Sequence, residues 1–130
     1  MLITSLENIK GTDREVRPKD NEWVSNRLLL KKDGAGFSFN DTTVFAGTEL
    51  NVCFKNHIEA CYCISGEGEI KTVADGKIYP IHPGTLYSPD KGEKHILTAK
   101  IDLRLICIFN PALTGKEVHD KDGSYPILEE

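Results

Sequence analysis

Residues 47–66, GTELNVCFKNHIEACYCISG, and residues 84–95, GTLYSPDKGEKH, are the stretches that decide the fold. Their glycines and polar residues recur at fixed spacings, Gly47-x5-Cys53-x-Lys55-x3-Glu59-x6-Gly66 and Gly84-x5-Asp90-x-Gly92-x2-His95. Apolar and β-branched residues fill many of the positions between them, which is typical of short strands bounded by turns. Because successive side chains of a strand point to opposite faces, such spacing can turn several polar side chains toward one interior.

The same pattern of short apolar runs ending in Gly, Pro, Asp or Asn extends along most of the chain. It predicts nine strands: Arg27–Lys32, Gly36–Phe45, Glu49–Phe54, Ala60–Ile64, Glu67–Val73, Lys77–Ile81, Thr85–Ser88, Lys94–Ala99 and Leu103–Phe109. Short, fairly even spacing between the turn signals favours a sandwich or a closed barrel over alternating strands and helices. The predicted fold class is therefore all-β.

Turns and helices are predicted at a few places between and beyond these strands. The pair Asp75-Gly76 is typical of a two-residue hairpin turn, which here would join two predicted strands. Helix is expected only as short turns, one at Ser5–Ile9 and another after Pro111. Residues 113–130 are rich in polar and turn-forming residues, so we expect an irregular C-terminal tail.

Size and charge exclude several classes of function. The 130 residues fit a single domain, residues 1–130, and the net charge of −4 gives no basic surface for nucleic acid. No apolar run reaches the roughly 20 residues that a membrane-spanning helix needs, and the N-terminus lacks the features of a secretory signal. We therefore expect a cytoplasmic protein whose four cysteines are reduced and buried as small apolar side chains.

The two spacings resemble the paired sequence motifs of the cupin superfamily, G-x5-H-x-H-x3-E-x6-G and G-x5-P-x-G-x2-H. The glycines, Glu59 and His95 are present, whereas Cys53 and Lys55 replace two histidines and Asp90 replaces the proline. The resemblance implies a cupin-type β-barrel, or jelly roll. The superfamily motifs alone do not decide between a metal site and a metal-free binding pocket, because Glu59 and His95 by themselves would bind a metal weakly.

A closer resemblance, to the ectoine synthase family, runs from about Trp23 to Tyr125. It rests on residues 36–40 (GFSFN), 59–69 (EACYCISGEGE), 74–77 (ADGK), 104–111 (RLICIFNP) and 114–120 (TGKEVHD). It implies a homodimeric hydro-lyase of osmolyte synthesis under osmotic stress, which cyclises the small molecule N4-acetyl-L-2,4-diaminobutanoate to ectoine. It also implies that Glu59, Tyr87 and His95 bind iron(II) or another divalent metal.

The family resemblance also implies a substrate pocket around this metal. We expect Arg27 to bind the substrate carboxylate as a bidentate pair, and Trp23 and Phe109 to form the pocket walls. The remaining implied site residues are Asn40, Thr42 and Cys107 as substrate contacts and Glu117, His119 and Tyr87 as catalytic groups, with Glu117 also contacting the substrate. We further expect residues 113–130 to fold over the barrel mouth as a lid.

Two departures and two rival functions accompany this interpretation. Asn51 and Cys53 stand where the family commonly has histidines, and Phe54 stands where a tyrosine is usual, so we expect effects on metal affinity and substrate range. His57 and His82 are expected to be structural or exposed. The rival functions are another iron-dependent cupin enzyme, such as a dioxygenase, and a non-catalytic cupin that binds a small zwitterion.

Overall fold

The structure, a computed structural model, describes residues 1–126 and confirms the all-β prediction. Its elements are α1 (Leu6–Ile9), β1 (Glu15–Val16), β2 (Trp23–Leu29), a 3₁₀ helix (Lys31–Asp33), β3 (Ser38–Val44), β4 (Glu49–Val52), β5 (Ile58–Ser65), β6 (Gly68–Thr72), β7 (Ile78–Ile81), β8 (Leu86–Tyr87), β9 (His95–Ala99) and β10 (Leu103–Asn110). The single α-helix lies where the sequence predicts it and is capped by Ser5, whose hydroxyl accepts the Asn8 N–H at 3.3 Å.

The strands form two antiparallel sheets that share one hydrophobic core. One sheet has six strands in the order β1-β2-β3-β10-β5-β8, and the other has four in the order β4-β9-β6-β7. Inward side chains of both sheets belong to the same buried cluster, for example Val44 and Leu105 from the first and Ile70 and Leu97 from the second. This two-sheet arrangement gives the predicted barrel its interior.

The structure corrects three details of the predicted elements. Strand β2 spans Trp23–Leu29, where Arg27–Lys32 was predicted, and it ends before Leu30 because the Asp33 carboxylate accepts the Leu30 N–H at 2.9 Å and fixes the 3₁₀ turn that follows. The two-residue strand β1 was not predicted. No helical turn follows Pro111 within the described residues.

The hairpin between β6 and β7 is confirmed, but its turn is longer than predicted. Five residues, 73–77, lie between the two strands, and Thr72 closes the turn by donating its N–H to the Lys77 carbonyl at 2.9 Å. The Asp75 carboxylate is used inside the turn, where it accepts the Lys77 N–H and the Thr72 hydroxyl. Gly76 alone takes a positive φ, +69°, so the turn is not the two-residue type in which both central residues do.

All four cysteines are buried and free of disulfide bonds, as predicted: Cys53, Cys61, Cys63 and Cys107. No helix within residues 1–126 is both long and apolar enough to cross a membrane.

The described part of the tail, residues 113–126, runs back across the barrel and is fixed there by hydrogen bonds. Cys53 donates its N–H to the Gly123 carbonyl at 3.0 Å, and Lys55 donates its N–H to the Ser124 hydroxyl at 3.0 Å. Asn56 Nδ2 donates to the Tyr125 carbonyl at 2.9 Å. The tail is therefore irregular but ordered; residues 127–130 of the predicted lid lie outside the described residues.

Candidate active site

A small cavity inside the barrel, here called the barrel pocket, brings together most of the residues that the family resemblance implies. Its volume is about 40 Å³. The implied residues that line it are Trp23, Asn40, Thr42, Glu59, Tyr87, His95, Cys107, Phe109 and His119. They come from strands of both sheets and from the tail, so the tail forms part of the pocket wall.

Strand register explains why Glu59 and Tyr87 reach the same space. On β5, Glu59 and Cys61 are two residues apart and share the inward face, and β5 pairs with β8 so that Cys61 lies opposite Tyr87. On the other side of β5, Phe109 lies opposite Glu59 and Cys107 lies opposite Cys61. The carboxyl, the phenol and the thiols therefore occupy neighbouring positions on three adjacent strands.

His95 approaches from the other sheet, at the start of β9. The centroid of its ring lies 6.5 Å from that of Tyr87. Its Nδ1 lies 2.9 Å from the Glu93 carbonyl oxygen, which acts as acceptor when Nδ1 carries the proton. In that tautomer Nε2 keeps its lone pair, an arrangement typical of metal-binding histidines. Burial lowers the pKa of His95, which favours the neutral form that a metal requires.

The acidic groups of the pocket are poorly solvated. Burial raises the pKa of Glu59 to about 7, although a hydrogen bond with Cys61 acts in the opposite direction. Burial also raises the pKa of Tyr87 well above its ordinary value, and the nearby Cys61 and Glu59 charges add to the effect. A buried carboxyl and phenol without a cation beside them are suited to bind one, because a positive charge would stabilise their ionised forms.

The donor set therefore fits a divalent metal. A carboxylate, a phenolate and an imidazole form a mixed oxygen and nitrogen site, which suits iron(II) or a similar ion and leaves positions open for a substrate. A second set of candidate ligand atoms lies beside it, because ligand atoms of Glu59, Cys61 and Cys107 lie within 4.8 Å of one another.

Aromatic rings enclose the pocket. The His119 ring stacks on Tyr125 with 4.7 Å between centroids, and it lies 5.5 Å from Trp23 and 5.6 Å from Phe54. Phe54 also packs edge-on against Phe109 at 5.1 Å. Ring faces in this number favour a small cation. Burial lowers the pKa of His119 to about 4, so this ring is neutral near pH 7.

Two polar side chains of β3 project into the pocket. Asn40 is buried, and its Oδ1 has no hydrogen-bond partner among the described residues. Thr42 lines the pocket beside it and donates its hydroxyl to Ser25 Oγ at 3.3 Å. A buried acceptor without a partner carries a free-energy cost, which a bound donor such as a substrate amine or a water would remove.

Arg27 and Glu117, by contrast, do not line the barrel pocket. Arg27 is fully buried, donates from Nη2 to the Glu117 carbonyl at 2.7 Å, and places Nη1 3.6 Å from Glu117 Oε1. The Glu117 carboxylate accepts the N–H groups of Thr114 at 2.8 Å and Gly115 at 2.9 Å. Burial alone would raise the pKa of Glu117, but these N–H groups and Arg27 lower it overall. In this conformation the pair anchors the tail to the barrel.

Alternate residues of the unusual segment 51–57 point to opposite sides, one toward the barrel pocket and the other toward Gly92 and the tail. Val52 and Phe54 line the barrel pocket. Cys53 does not line it and directs its thiol to the Gly92 carbonyl at 3.4 Å, while Lys55 pairs with Asp122 at 2.8 Å. The two positions that hold histidines in the cupin motif thus contact the second motif and the tail.

His57 is buried and His82 is exposed, in line with the structural or exposed roles expected of them. The His57 ring lies edge-on to Phe109 at 6.0 Å, behind the pocket wall.

Three residues of the site were not predicted from the sequence. Tyr125 and Cys61 were given no role in the site, and Phe54 was not expected to form part of the pocket wall. Tyr125 has no motif around it, and only the docked tail shows its position. The Cys61 thiol could have been placed from its spacing, since it is two residues from Glu59 on the same strand.

Comparisons with known proteins identify the family of the chain. The family model described as ectoine synthase matches residues 1–129. The L-ectoine synthase of Desulfatibacillum aliphaticivorans is 53% identical over 130 residues, covering 100% of this chain and 100% of that protein. The L-ectoine synthase of Halalkalibacterium halodurans is 50% identical over 130 residues, which cover 100% of this chain and 99% of that protein.

Solved structures give the same picture. The crystal structure of ectoine synthase from P. lautus matches with a TM-score of 0.87 at 52% identity, covering 100% of this chain and 92% of that one. A predicted oxalate decarboxylase from Thermotoga maritima matches with a TM-score of 0.70 at 20% identity, and the match covers 85% of this chain and 99% of that one. At this identity the likeness shows a common fold only. These likenesses confirm the predicted cupin-type barrel.

Proposed function

Because the chain belongs to the ectoine synthase family, we propose that it converts N4-acetyl-L-2,4-diaminobutanoate to L-ectoine with loss of water, as a hydro-lyase of osmolyte synthesis. The observation that carries this proposal is the convergence of Glu59, Tyr87 and His95 on one cavity with aromatic walls. Identity along the whole chain to proteins named L-ectoine synthase favours this function over a dioxygenase or a non-catalytic zwitterion-binding cupin.

Glu59, Tyr87 and His95 would hold the metal, which we propose to be iron(II). When bound, such an ion acts as a Lewis acid toward a carbonyl oxygen. The proximity of Glu59 to this charge would keep its carboxylate ionised at neutral pH despite its burial. The imidazole of His95 would stay oriented through its contact with the Glu93 carbonyl.

The remaining residues would bind and orient the substrate. The reaction joins the α-amine nitrogen to the acetamide carbon and releases the carbonyl oxygen as water, so the two reacting atoms must be held about 3–3.5 Å apart. The rings of Trp23 and Phe109 would force this curled conformation, and the unpaired Oδ1 of Asn40 would accept a hydrogen bond from the amine. Neutral His119 would accept a hydrogen bond from the amine, and the protons that the amine loses leave with the carbonyl oxygen as water.

We also propose that the tail acts as a lid. The tail carries two pocket-lining rings, His119 and Tyr125, so its displacement would open the pocket and its return would exclude water.

We further propose that the protein is a homodimer and that it is located in the cytoplasm. Apolar side chains at the N-terminus, including Leu2 and Ile3, are exposed and available for a partner subunit. The four free cysteines suit a reducing compartment.

The test is an anaerobic assay of purified protein with iron(II) and N4-acetyl-L-2,4-diaminobutanoate, in which ectoine is measured by chromatography. We expect ectoine without O₂, and we expect Tyr87→Phe to lower both iron content and turnover by at least tenfold. Tyr79→Phe is the matched control, because Tyr79 is an exposed tyrosine of β7. Turnover only with O₂ would instead support a dioxygenase, and tight binding without turnover would support a zwitterion-binding module.

A further inference from the structure

We propose that Glu59, Cys61 and Cys107 form a second metal site in the wall of the barrel pocket, one that takes a thiophilic divalent ion such as Zn²⁺ or Cd²⁺. The proposal needs only metal binding, so it stands apart from the cyclisation reaction. It concerns two thiols that the iron site does not use.

The three ligand atoms already lie close to the geometry of such a site. The Cys61 and Cys107 sulfur atoms are 3.4 Å apart. Two thiolates bound tetrahedrally to zinc at about 2.3 Å would be roughly 3.8 Å apart, so the sulfur atoms need to separate by only about 0.4 Å. A carboxylate oxygen of Glu59 lies within 4.8 Å of both, a distance that a side-chain rotation can close.

The strands hold these side chains in place. Cys61 and Cys107 are direct partners in the register between β5 and β10, and Glu59 is two residues before Cys61 on the same strand. Sites built on paired strands lose little freedom on binding, because their side chains are already packed. Both cysteines are buried, while Cys107 and Glu59 also border the pocket through which an ion can enter.

Ligand chemistry separates this site from the one proposed for iron. Two sulfur ligands favour zinc, cadmium and copper(I), whereas the oxygen and nitrogen donors of Glu59, Tyr87 and His95 favour iron(II). Glu59 belongs to both sets, so the two ions would compete for one carboxylate. Binding of the thiophilic ion replaces the thiol protons of Cys61 and Cys107, which are released to solvent.

The test is a titration of the metal-free, reduced protein with CdCl₂, followed by the ultraviolet thiolate-to-cadmium charge-transfer absorption. We expect one equivalent of Cd²⁺ to bind with the intensity of two thiolates. Cys61→Val should lower the affinity at least tenfold and remove about half of the absorption or more. Cys63→Val is the matched control, because the Cys63 thiol is on the same strand but points to the Ser65 carbonyl at 3.4 Å.

The outcome is decided by spectroscopy and not by turnover. Absence of the charge-transfer band in the wild type, or equal bands in the Cys61 and Cys63 variants, would overturn the proposal. Circular dichroism and melting curves check that each variant is folded; valine at either position is close in size to cysteine. If the band appears but iron-loaded protein forms no ectoine, the metal site stands and the proposed function falls.

Discussion

Replacement of Glu117 by glutamine tests whether this residue anchors the tail. The carboxylate accepts two backbone N–H groups, from Thr114 and Gly115, and faces the buried guanidinium of Arg27. Glutamine keeps the size of the side chain but offers one oxygen and one NH₂ group. One backbone N–H would then lose its acceptor, and Arg27 would keep a buried charge without its counter-ion.

The magnitude follows from these contacts. A hydrogen bond to a charged group contributes about 1.5–3 kcal/mol, and breaking a buried ion pair costs about 3–5 kcal/mol. Because the two effects share one carboxylate, we expect Glu117→Gln to cost about 3–5 kcal/mol. If the tail detaches before the barrel unfolds, the cost appears as local opening of the tail. A cost of 3 kcal/mol then raises the equilibrium constant for tail detachment roughly 100-fold.

Hydrogen exchange measures that opening directly. The amides of Cys53 and Lys55 donate to Gly123 and Ser124, so their exchange rates report whether the tail is docked. We expect both to exchange roughly 100-fold faster in Glu117→Gln. Glu93→Gln is the control, because its carboxylate accepts the Asp90 N–H at 3.0 Å in an exposed turn, and its replacement should leave both rates unchanged.

Two results would refute the reasoning on Glu117. A change of less than twofold in the Cys53 and Lys55 amides would show that the carboxylate does not hold the tail. Loss of turnover with unchanged exchange would assign Glu117 to the chemistry instead, as the family resemblance implies. An Arg27→Gln, Glu117→Gln double variant should lose less stability than the sum of its single variants, since neither partner is then left unpaired.

Three further predictions concern the same region. His119, with its pKa lowered to about 4, binds fewer protons in the folded than in the unfolded protein, so its contribution to stability is lost as pH falls from about 6.5 to 4. The difference in unfolding free energy between wild type and His119→Asn should therefore change by up to about 3 kcal/mol over that range, and a flat difference would contradict the shift. Gly123→Ala should cost more than Gly76→Ala in urea unfolding; both glycines have positive φ, but an added Cβ meets Asn51 O at 2.0 Å only at Gly123. Similar costs for the two would show that the tail yields at this contact. Tyr125→Leu should raise KM about tenfold while the exposed Tyr79→Leu leaves it unchanged, because Tyr125 is part of the ring enclosure that suits a cationic group; an unchanged KM would remove Tyr125 from the binding site.

The strands that build the site were the easiest to predict from the sequence. The predicted Ala60–Ile64 and Leu103–Phe109 agree with β5 and β10 to within two residues, because both are continuous runs of strand-forming residues. The two-residue strand β1 carries no such run, and its pairing with β2 depends on contacts made after folding. Local preference therefore found the central strands and missed the edge strand β1.

The position of the tail could not be predicted in the same way. Its hydrogen bonds join residues far apart in sequence, such as Lys55 and Ser124, and no periodic pattern records them. The family resemblance implied that Arg27 contacts the substrate, but it carries no information on which conformation the tail adopts. In the docked tail the Arg27 guanidinium faces Glu117, outside the barrel pocket.

Contacts with the tail give a structural role to residues of the unusual segment 51–57. Loss of histidines there suggested an altered metal site, yet Cys53 and Lys55 are held against Gly92 and Asp122, away from the three proposed iron ligands. Their backbone N–H groups hold the tail across the pocket. Because the Lys55 side chain also pairs with Asp122 of the tail, substitution on this face acts first on how readily the tail opens.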